Sequence, residues 1–202
     1  MSLPFCIAAK FLNIKIILYE PNRVLGRSNK FILKNCSKIL CYYDDIFNFP
    51  EDLKFKIVLI QPLLRKQVYN CQKNQSKNLK NELRILILGG SQGAKFFDDL
   101  MSNVVIKLSK DNNIKVMHQI HDVSKLKFYE NKYNQAGISN EIFNFNPNIS
   151  NKMGKYNIAI TRCGASSLAE LTYLNLPFIG VPFPYAKDNH QYYNAEFYEK
   201  NK

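Results

Sequence analysis

Leu83-Arg84-Ile85-Leu86-Ile87-Leu88-Gly89-Gly90-Ser91-Gln92-Gly93-Ala94 decides the fold. A short apolar run interrupted only by Arg84 reads as a buried strand, and two glycines stop it. Behind the turn, Phe97, Leu100, Met101, Val104, Val105 and Leu108 recur at spacings of three and four, one face of a helix. Glycines allow a tight turn and let a ligand approach the backbone. Free amides and the positive end of the helix can hold a phosphate, with hydrogen bonds added by Ser91 and Gln92. Neither GxGxxG nor GxxxxGK[ST] occurs, so a dinucleotide or P-loop reading lacks support. Phosphate binding and a purely structural turn both stay open at this point.

Strands and helices continue to alternate beyond the turn. The patterns predict a strand over Ile114–Ile120, a polar helix over Val123–Tyr133 and a strand over Ile142–Phe145. A turn or short helix near Pro147–Tyr156 follows, then strand Asn157–Thr161, helix Ser166–Leu174, strand Phe178–Val181 and a helix from Asn189 onward. That order implies a parallel sheet with helices on both faces. Residues 65–82 are polar and aperiodic and read as a linker or surface connection. Before them, residues 1–64 offer strands at Ile14–Tyr19, Ile39–Tyr43 and Lys56–Ile60 and one helix near Asn29–Leu33. This half begins almost on a strand, lacks a glycine-rich first turn, and reads as an incomplete Rossmann-like part.

Two further junctions carry polar residues. Thr161-Arg162-Cys163-Gly164-Ala165-Ser166-Ser167 again joins a strand to a helix. Glu170 is within capping-box range of Ser166 or Ser167, or is placed to accept hydrogen bonds from ribose hydroxyls. Arg162 reads equally as a wall of a ligand site or as an internal salt-bridge or carbonyl partner. Cys163 has no histidine near it in sequence and reads as an inert thiol. In Pro182-Phe183-Pro184-Tyr185-Ala186-Lys187-Asp188-Asn189-His190-Gln191, Asp188 or Asn189 is suited to cap the next helix, with His190 and Gln191 in its first turn. Open α/β sheets bind ligands where such junctions meet at the carboxyl edge.

Composition bounds the alternatives. The chain has 202 residues, 46% apolar and 22% charged, enough for one good core or two small ones. Its apolar runs fall far short of the roughly 20 residues that span a bilayer. The first dozen residues lack the charged start of a signal peptide. Five cysteines in no paired spacing fit a reducing cytoplasm better than a disulfide framework. His118 and His121 have no further ligands spaced for a metal. Net charge of +12 favours an anionic partner without choosing among nucleic acid, acidic lipid and a phosphorylated small molecule. No RNP-like, helix-turn-helix or zinc-knuckle pattern supports nucleic acid. Tyr192, Tyr193, Phe197 and Tyr198, at helical spacing, read as core or domain-contact packing.

Together the junctions resemble the donor-binding part of the bacterial peptidoglycan glycosyltransferases of glycosyltransferase family 28, the UDP-N-acetylglucosamine–N-acetylmuramyl-(pentapeptide) pyrophosphoryl-undecaprenol N-acetylglucosamine transferases. GGSQGA at 89–94, Arg162-Cys163-Gly164-Ala165 with Glu170, and the stretch from Pro182 to Ala195 match that family's motifs. Glu20-Pro21-Asn22, Gly26 and Asn29-Lys30 resemble its HEQNxxxGxxN-K stretch, with Tyr19 and Pro21 departing from His and Gln.

The resemblance implies a GT-B type α/β fold: an incomplete N-terminal Rossmann-like part (1–64), a linker (65–82) and a nearly complete C-terminal donor-binding domain (83–202). It implies that Ser91, Gln92 and Gly93 hold a diphosphate and that Phe145 and Asn146 read uracil. Arg162 and Gly164 would line the donor site, Glu170 bind ribose, and His190 and Gln191 touch the sugar. Asn22 and Arg65 would lie on the acceptor side, Arg65 through a match of Gln61-Pro62-Leu63-Leu64-Arg65 to an Asn-Pro-Val-Arg motif. It implies UDP-N-acetylglucosamine as donor, lipid I as acceptor, an inverting transfer without metal or other cofactor, and a peripheral cytoplasmic place at an anionic membrane surface. The family's glycine-rich opening loop has no counterpart here. The expectation is therefore a chain truncated at both ends, inactive alone or completed by a second chain.

Overall fold

The computed structural model describes residues 3–71, 82–90 and 94–200. In chain order the elements are α1 (Leu3–Phe11), β1 (Ile17–Glu20), α2 (Arg27–Ile32), β2 (Lys38–Cys41), β3 (Ile57–Leu59), α3 (Lys66–Tyr69), β4 (Leu83–Leu88), α4 (Ala94–Leu108), β5 (Ile114–Gln119), α5 (Leu126–Gln135), β6 (Ser139–Phe143), α6 (Ser150–Met153), β7 (Ile158–Thr161), α7 (Ala165–Tyr173), β8 (Phe178–Gly180) and α8 (His190–Lys200). Packing divides the chain into two compact units. One comprises Met1–Leu63, Gly164–Ser166 and Pro184–Lys202, the other Leu64–Cys163 and Ser167–Phe183. The last helix, which follows β8 in sequence, thus packs with the first unit.

The second unit holds a parallel sheet in the order β6-β5-β4-β7-β8. Its centre is β4, where Ile85, Leu86, Ile87 and Leu88 are buried. Alternate β4 residues feed two different cores: Leu86 and Leu88 pack with Met117, Ala159 and Leu171, Ile85 and Ile87 with Phe97, Val105 and Val116. A strand buried on both faces needs a continuous apolar run, which is why this segment does not alternate.

Only half of the predicted α4 face is buried. Phe97, Met101 and Val105 lie inside, whereas Leu100, Val104 and Leu108 are 36–41% exposed. The buried stripe follows the i, i+4, i+8 row, and the neighbouring row lies on the flank. The strand expected at Ile142–Phe145 runs from Ser139 to Phe143 instead. It stops because the Asn144 side chain turns back to donate to the carbonyls of Ile120 (2.9 Å) and His121 (2.6 Å).

Part of the predicted linker is structured. Arg65 opens α3, and Val68 is fully buried against the core that contains Leu171 and Leu174; residues 72–81 lie outside the described residues.

His118, on β5, is fully buried. Its Nδ1 lies 2.9 Å from the Tyr133 hydroxyl, while Nε2 faces Asp98 Oδ1 at 3.7 Å, too far for a hydrogen bond. Asp98 spends its other oxygen on the His121 amide (3.2 Å). Burial pushes the His118 pKa down; Asp98 opposes that only in part, and Lys132 adds to it.

The first unit carries a three-stranded parallel sheet in the order β1-β2-β3. The chain does not open on a strand, as the sequence suggested, but on α1. Leu3, Cys6 and Ala9, a spacing that suits a helix and not a strand, lean on the core formed by Leu18, Ile39 and Cys41. Asn13, at φ 54°, ends the helical turn, and β1 starts three residues later than Ile14.

Two buried charges organise this unit. Lys56 closes the 3₁₀ turn Glu51–Lys56 rather than entering β3, because its ammonium donates to the carbonyls of Leu33 (3.0 Å), Lys34 (2.8 Å) and Cys36 (2.7 Å). Those carbonyls lie where α2 runs out through a 3₁₀ turn, at the negative end of the helix. Glu20, 3% exposed, accepts from the Asn22 amide and Nδ2, the Gly26 amide (2.7 Å) and Asn29 Nδ2 (3.0 Å). A Cβ on Gly26 would stand 2.9 Å from the same carboxylate, which is why glycine occupies that position.

Replacing Lys56 by Met leaves three carbonyls without their cation. Each such bond contributes about 1.5–3 kcal/mol against a desolvation cost of several kcal/mol, so the net loss is roughly 2–4 kcal/mol. Urea unfolding measures it, and Lys38→Met at an exposed site serves as the near-neutral control.

A second outcome concerns pH. Because the folded state resists protonating His118, its stabilising share is intact above the ordinary value near 6.5 and is lost as pH falls below it. Stability should drop from about pH 6.5 to pH 5 by up to about 1.4 kcal/mol per unit, and His118→Asn should flatten that slope. An unchanged slope in the variant would refute a neutral buried imidazole.

Candidate functional site

Strand order reverses across β4. From β4 the chain goes out to β5 and β6 on one side, then returns to β7 and β8 on the other. In open α/β sheets such a reversal marks the ligand-binding edge, here the carboxyl ends of β4 and β7. Gly89 and Gly90 end β4 there, and Arg162 follows β7 directly, its amide continuing the ladder to the Leu88 carbonyl at 3.1 Å. Gly90 is left-handed (φ 69°), and a Cβ on it would lie 3.7 Å from the Arg162 Cβ. Gly89 has a packing reason: its missing Cβ would meet Asp98 Oδ1 at 3.2 Å and Phe97 Cδ1 at 3.3 Å. Ser91, Gln92 and Gly93, the sequence candidates for a diphosphate, lie outside the described residues.

Arg162 is 7% exposed, and its guanidinium lies over the Phe97 ring at 4.4 Å with Phe183 at 5.5 Å. Nη1 donates to the carbonyls of Val181 (3.2 Å) and Pro182 (3.1 Å), tying the exit of β8 to that of β7. Nε is buried with no hydrogen-bond partner among the described residues. Burial pushes the pKa of Arg162 down, opposed by Cys163 and Asp98. The carbonyl-partner reading of Arg162 is therefore realised, and no carboxylate neutralises it by a salt bridge among the described residues. Cys163 is buried and its thiol is pushed up to about 12, which leaves it protonated and unreactive. Gly164 leads into α7, which begins at Ala165.

Glu170 lies one turn into α7 with a side chain 7% exposed. Both oxygens go to Arg65, Nε to Oε1 at 2.8 Å and Nη2 to Oε2 at 2.6 Å. A bidentate ion pair has replaced the capping box that the spacing from Ser166 and Ser167 allowed. Arg65, matched by sequence to the acceptor side, thus meets the candidate ribose-binding residue inside the second unit. Nothing in the polar stretch 65–71 signalled that pairing, because the two residues are far apart in sequence.

At the ends of β5 and β6, Gln119 Nε2 donates to the Asn144 carbonyl at 3.1 Å. Phe145 lies just beyond, 76% exposed, and Asn146 Oδ1 accepts from the Asn148 amide at 2.9 Å. Sequence reading passed over Asn144; its one signal is a carboxamide between an apolar run and Pro147.

The first unit holds the remaining candidates. Asn22 is fully engaged: it donates to Glu20 and accepts from Asn194 Nδ2 at 3.1 Å. Buried Asn194 also accepts from the Arg23 amide at 2.9 Å, and the Arg23 guanidinium reaches Asp45 and Glu196. Arg23 went unnoticed in the sequence. Ring pairs Tyr43–Phe197 (4.5 Å) and Phe47–Tyr193 (4.4 Å) seat α8 as the core packing expected of its aromatics, while Tyr192 is 56% exposed. Asp188 and Asn189 both adopt positive φ, 55° and 53°, and Arg27 grips the Asp188 carboxylate through two bonds (3.0 and 2.9 Å). That contact lowers the Asp188 pKa. Asp188 therefore pins the turn before α8 instead of capping it by a side-chain bond. His190 uses Nδ1 on the Lys187 carbonyl (2.8 Å), and Gln191 sits half-buried beside it. Among the described residues no cluster of His, Cys, Asp or Glu is arranged to hold a metal, and no helix is long and apolar enough to cross a membrane.

With this geometry in hand, known proteins give a consistent match. Over 200 residues the chain is 48% identical to the UDP-N-acetylglucosamine–N-acetylmuramyl-(pentapeptide) pyrophosphoryl-undecaprenol N-acetylglucosamine transferase of Pelagibacter ubique, covering 99% of this chain and 55% of that protein. The Rickettsia felis protein of the same name is 38% identical over 206 residues, with 96% and 56% covered. The chain thus spans about half the length of the curated relatives it matches. The crystal structure of Acinetobacter baumannii MurG superposes with a TM-score of 0.76 at 22% identity, over 99% of this chain and 55% of that one. The architecture is accordingly GT-B-like, two Rossmann-like units with parallel sheets. Residues 84–202, the stretch from β4 onward, match the glycosyltransferase family 28 C-terminal domain, and the chain belongs to that family.

Proposed function

We propose that the second unit binds the uridine diphosphate of UDP-N-acetylglucosamine at the carboxyl ends of β4 and β7. In this reading the protein serves transfer of N-acetylglucosamine to the C4 hydroxyl of the N-acetylmuramyl sugar of lipid I, giving lipid II. The observation that carries the reading is the reversal of strand order at β4, where Gly90 lies beside Arg162, a buried guanidinium whose Nε has no partner among the described residues, in a chain of this family.

The chemistry suits that place. A glycine-rich turn and the start of the fifteen-residue α4 offer amides and a positive dipole end to a diphosphate. Arg162 adds a fixed cation beneath the turn. In an inverting displacement the acceptor oxygen forms a bond to the anomeric carbon as that carbon's bond to the diphosphate breaks. A base takes the hydroxyl proton, and UDP leaves with the bonding pair. Preorganised donors at the diphosphate stabilise the charge that develops there. Glu170 supplies a carboxylate for ribose hydroxyls, and the Phe145–Asn146 backbone an edge for uracil. A nucleotide-sugar donor and a lipid-linked acceptor together support a peripheral position at the cytoplasmic face of the membrane.

Calorimetry of the full chain should give UDP at least a tenfold preference over ADP. Glu170→Ala should weaken UDP binding by about 10- to 100-fold, the loss of one or two hydrogen bonds to a charged group. Equal affinity for UDP and ADP, or an Ala variant that binds like the parent, would overturn the reading.

A further inference from the structure

We propose that Arg65 is a positioning residue for the nucleoside, acting through Glu170. The inference rests on the proposed contact between Glu170 and ribose and adds what makes that contact specific. Glu170 is a nearly buried carboxylate, and among the described residues its oxygens have one partner, the Arg65 guanidinium. An ionised carboxylate offers about four acceptor sites, and a bidentate arginine fills two. One site per oxygen is left, which matches the two adjacent hydroxyls of a ribose.

Arg65 is itself held. It is the N-cap residue of α3, whose next residues dock on the helix that bears Glu170. Val68 is fully buried beside Leu171 and Leu174. Tyr69, four residues after Arg65, meets Tyr173, three after Glu170, edge to face at 5.4 Å. Residues three and four after Arg65 thus pack against Leu171 and Tyr173, which fixes the backbone from which the guanidinium reaches Glu170. The carboxylate is thereby fixed in plane and rotation before any ligand arrives, so a hydroxyl pair pays little for its ordering. Arg65 is 44% exposed and Glu170 7%, so the arginine forms the rim and the carboxylate the floor.

The test compares UDP with 2′-deoxy-UDP by calorimetry in the parent chain, Arg65→Gln, Arg65→Lys, Glu170→Gln and the double variant Arg65→Gln/Glu170→Gln. Thermal unfolding confirms that each is folded. In the parent, UDP should bind at least tenfold tighter than the deoxy ligand. Arg65→Gln should bring that ratio to within twofold of unity with little change for 2′-deoxy-UDP, and Glu170→Gln should do the same. The double variant should lose no more than either single one. Arg65→Lys, keeping the charge but not the fork, should lose most of the discrimination too. A merely structural Arg65 would weaken both ligands equally, and that result would overturn the proposal. So would an Arg65→Gln chain that binds UDP more tightly, which would make the guanidinium a cover that ribose must displace. If Glu170→Gln loses discrimination while Arg65→Gln keeps it, the inference fails and the ribose contact stands. If both variants keep it, both fail.

Discussion

The second unit is organised by one strand that is hydrogen-bonded along both edges and buried on both faces. β4 pairs residue by residue with β5 from Leu83↔Ile114 to Leu88↔Gln119, and with β7 from Ile85↔Ile158 to Leu88↔Thr161. Its alternate side chains enter opposite cores, so a polar substitution at Leu86 or Ile87 would damage one face outright. With both edges of β4 occupied, the chain runs out to β5 and β6 on one side and returns to β7 and β8 on the other. At the carboxyl end of β4, Gly90 is required by its left-handed backbone (φ 69°), and Gly89 by the closeness of Asp98 and Phe97.

In both units, buried polar groups are committed in sets. Glu20 takes four donors, Lys56 three acceptors and Arg162 two carbonyls. Each is a buried or nearly buried charge; for Glu20 and Lys56 several bonds to backbone or carboxamide groups offset the desolvation cost, while Arg162 keeps its Nε without a partner among the described residues. They hold Asn22–Gly26, the run-out of α2 and the exit of β8. Asn194 extends the Glu20 set through Asn22 to the Arg23 amide, so a motif that reads as a string of ligand residues is in large part a self-supporting loop.

Much of the architecture was legible along the chain. Leu83–Leu88 appears with the bounds its composition announced, and β5, β7, α7 and β8 lie within a residue or two of the patterns that predicted them. Misreadings occurred where a side chain overruled periodicity. Asn144 ended β6 early, Lys56 left its strand to reach three carbonyls, and α1 formed from a segment whose apolar residues follow a three-residue spacing. Arg162 and Glu170 stand out as candidates in the sequence because glycine turns and isolated charges after apolar strands are local signals.

By itself the sequence determined the parallel α/β character, the glycine-rich junction after the central strand and the residue types available at each strand end, since periodicity and turn chemistry act over a few neighbouring residues. Only the tertiary structure decided that Arg65 closes on Glu170, that His118 is buried between Tyr133 and Asp98, and that α8 seats its rings on Tyr43 and Phe47. These contacts join residues many positions apart. Their partners are chosen by where sheets and helices bring side chains together in a medium that penalises an unpaired charge, and no local pattern encodes that choice.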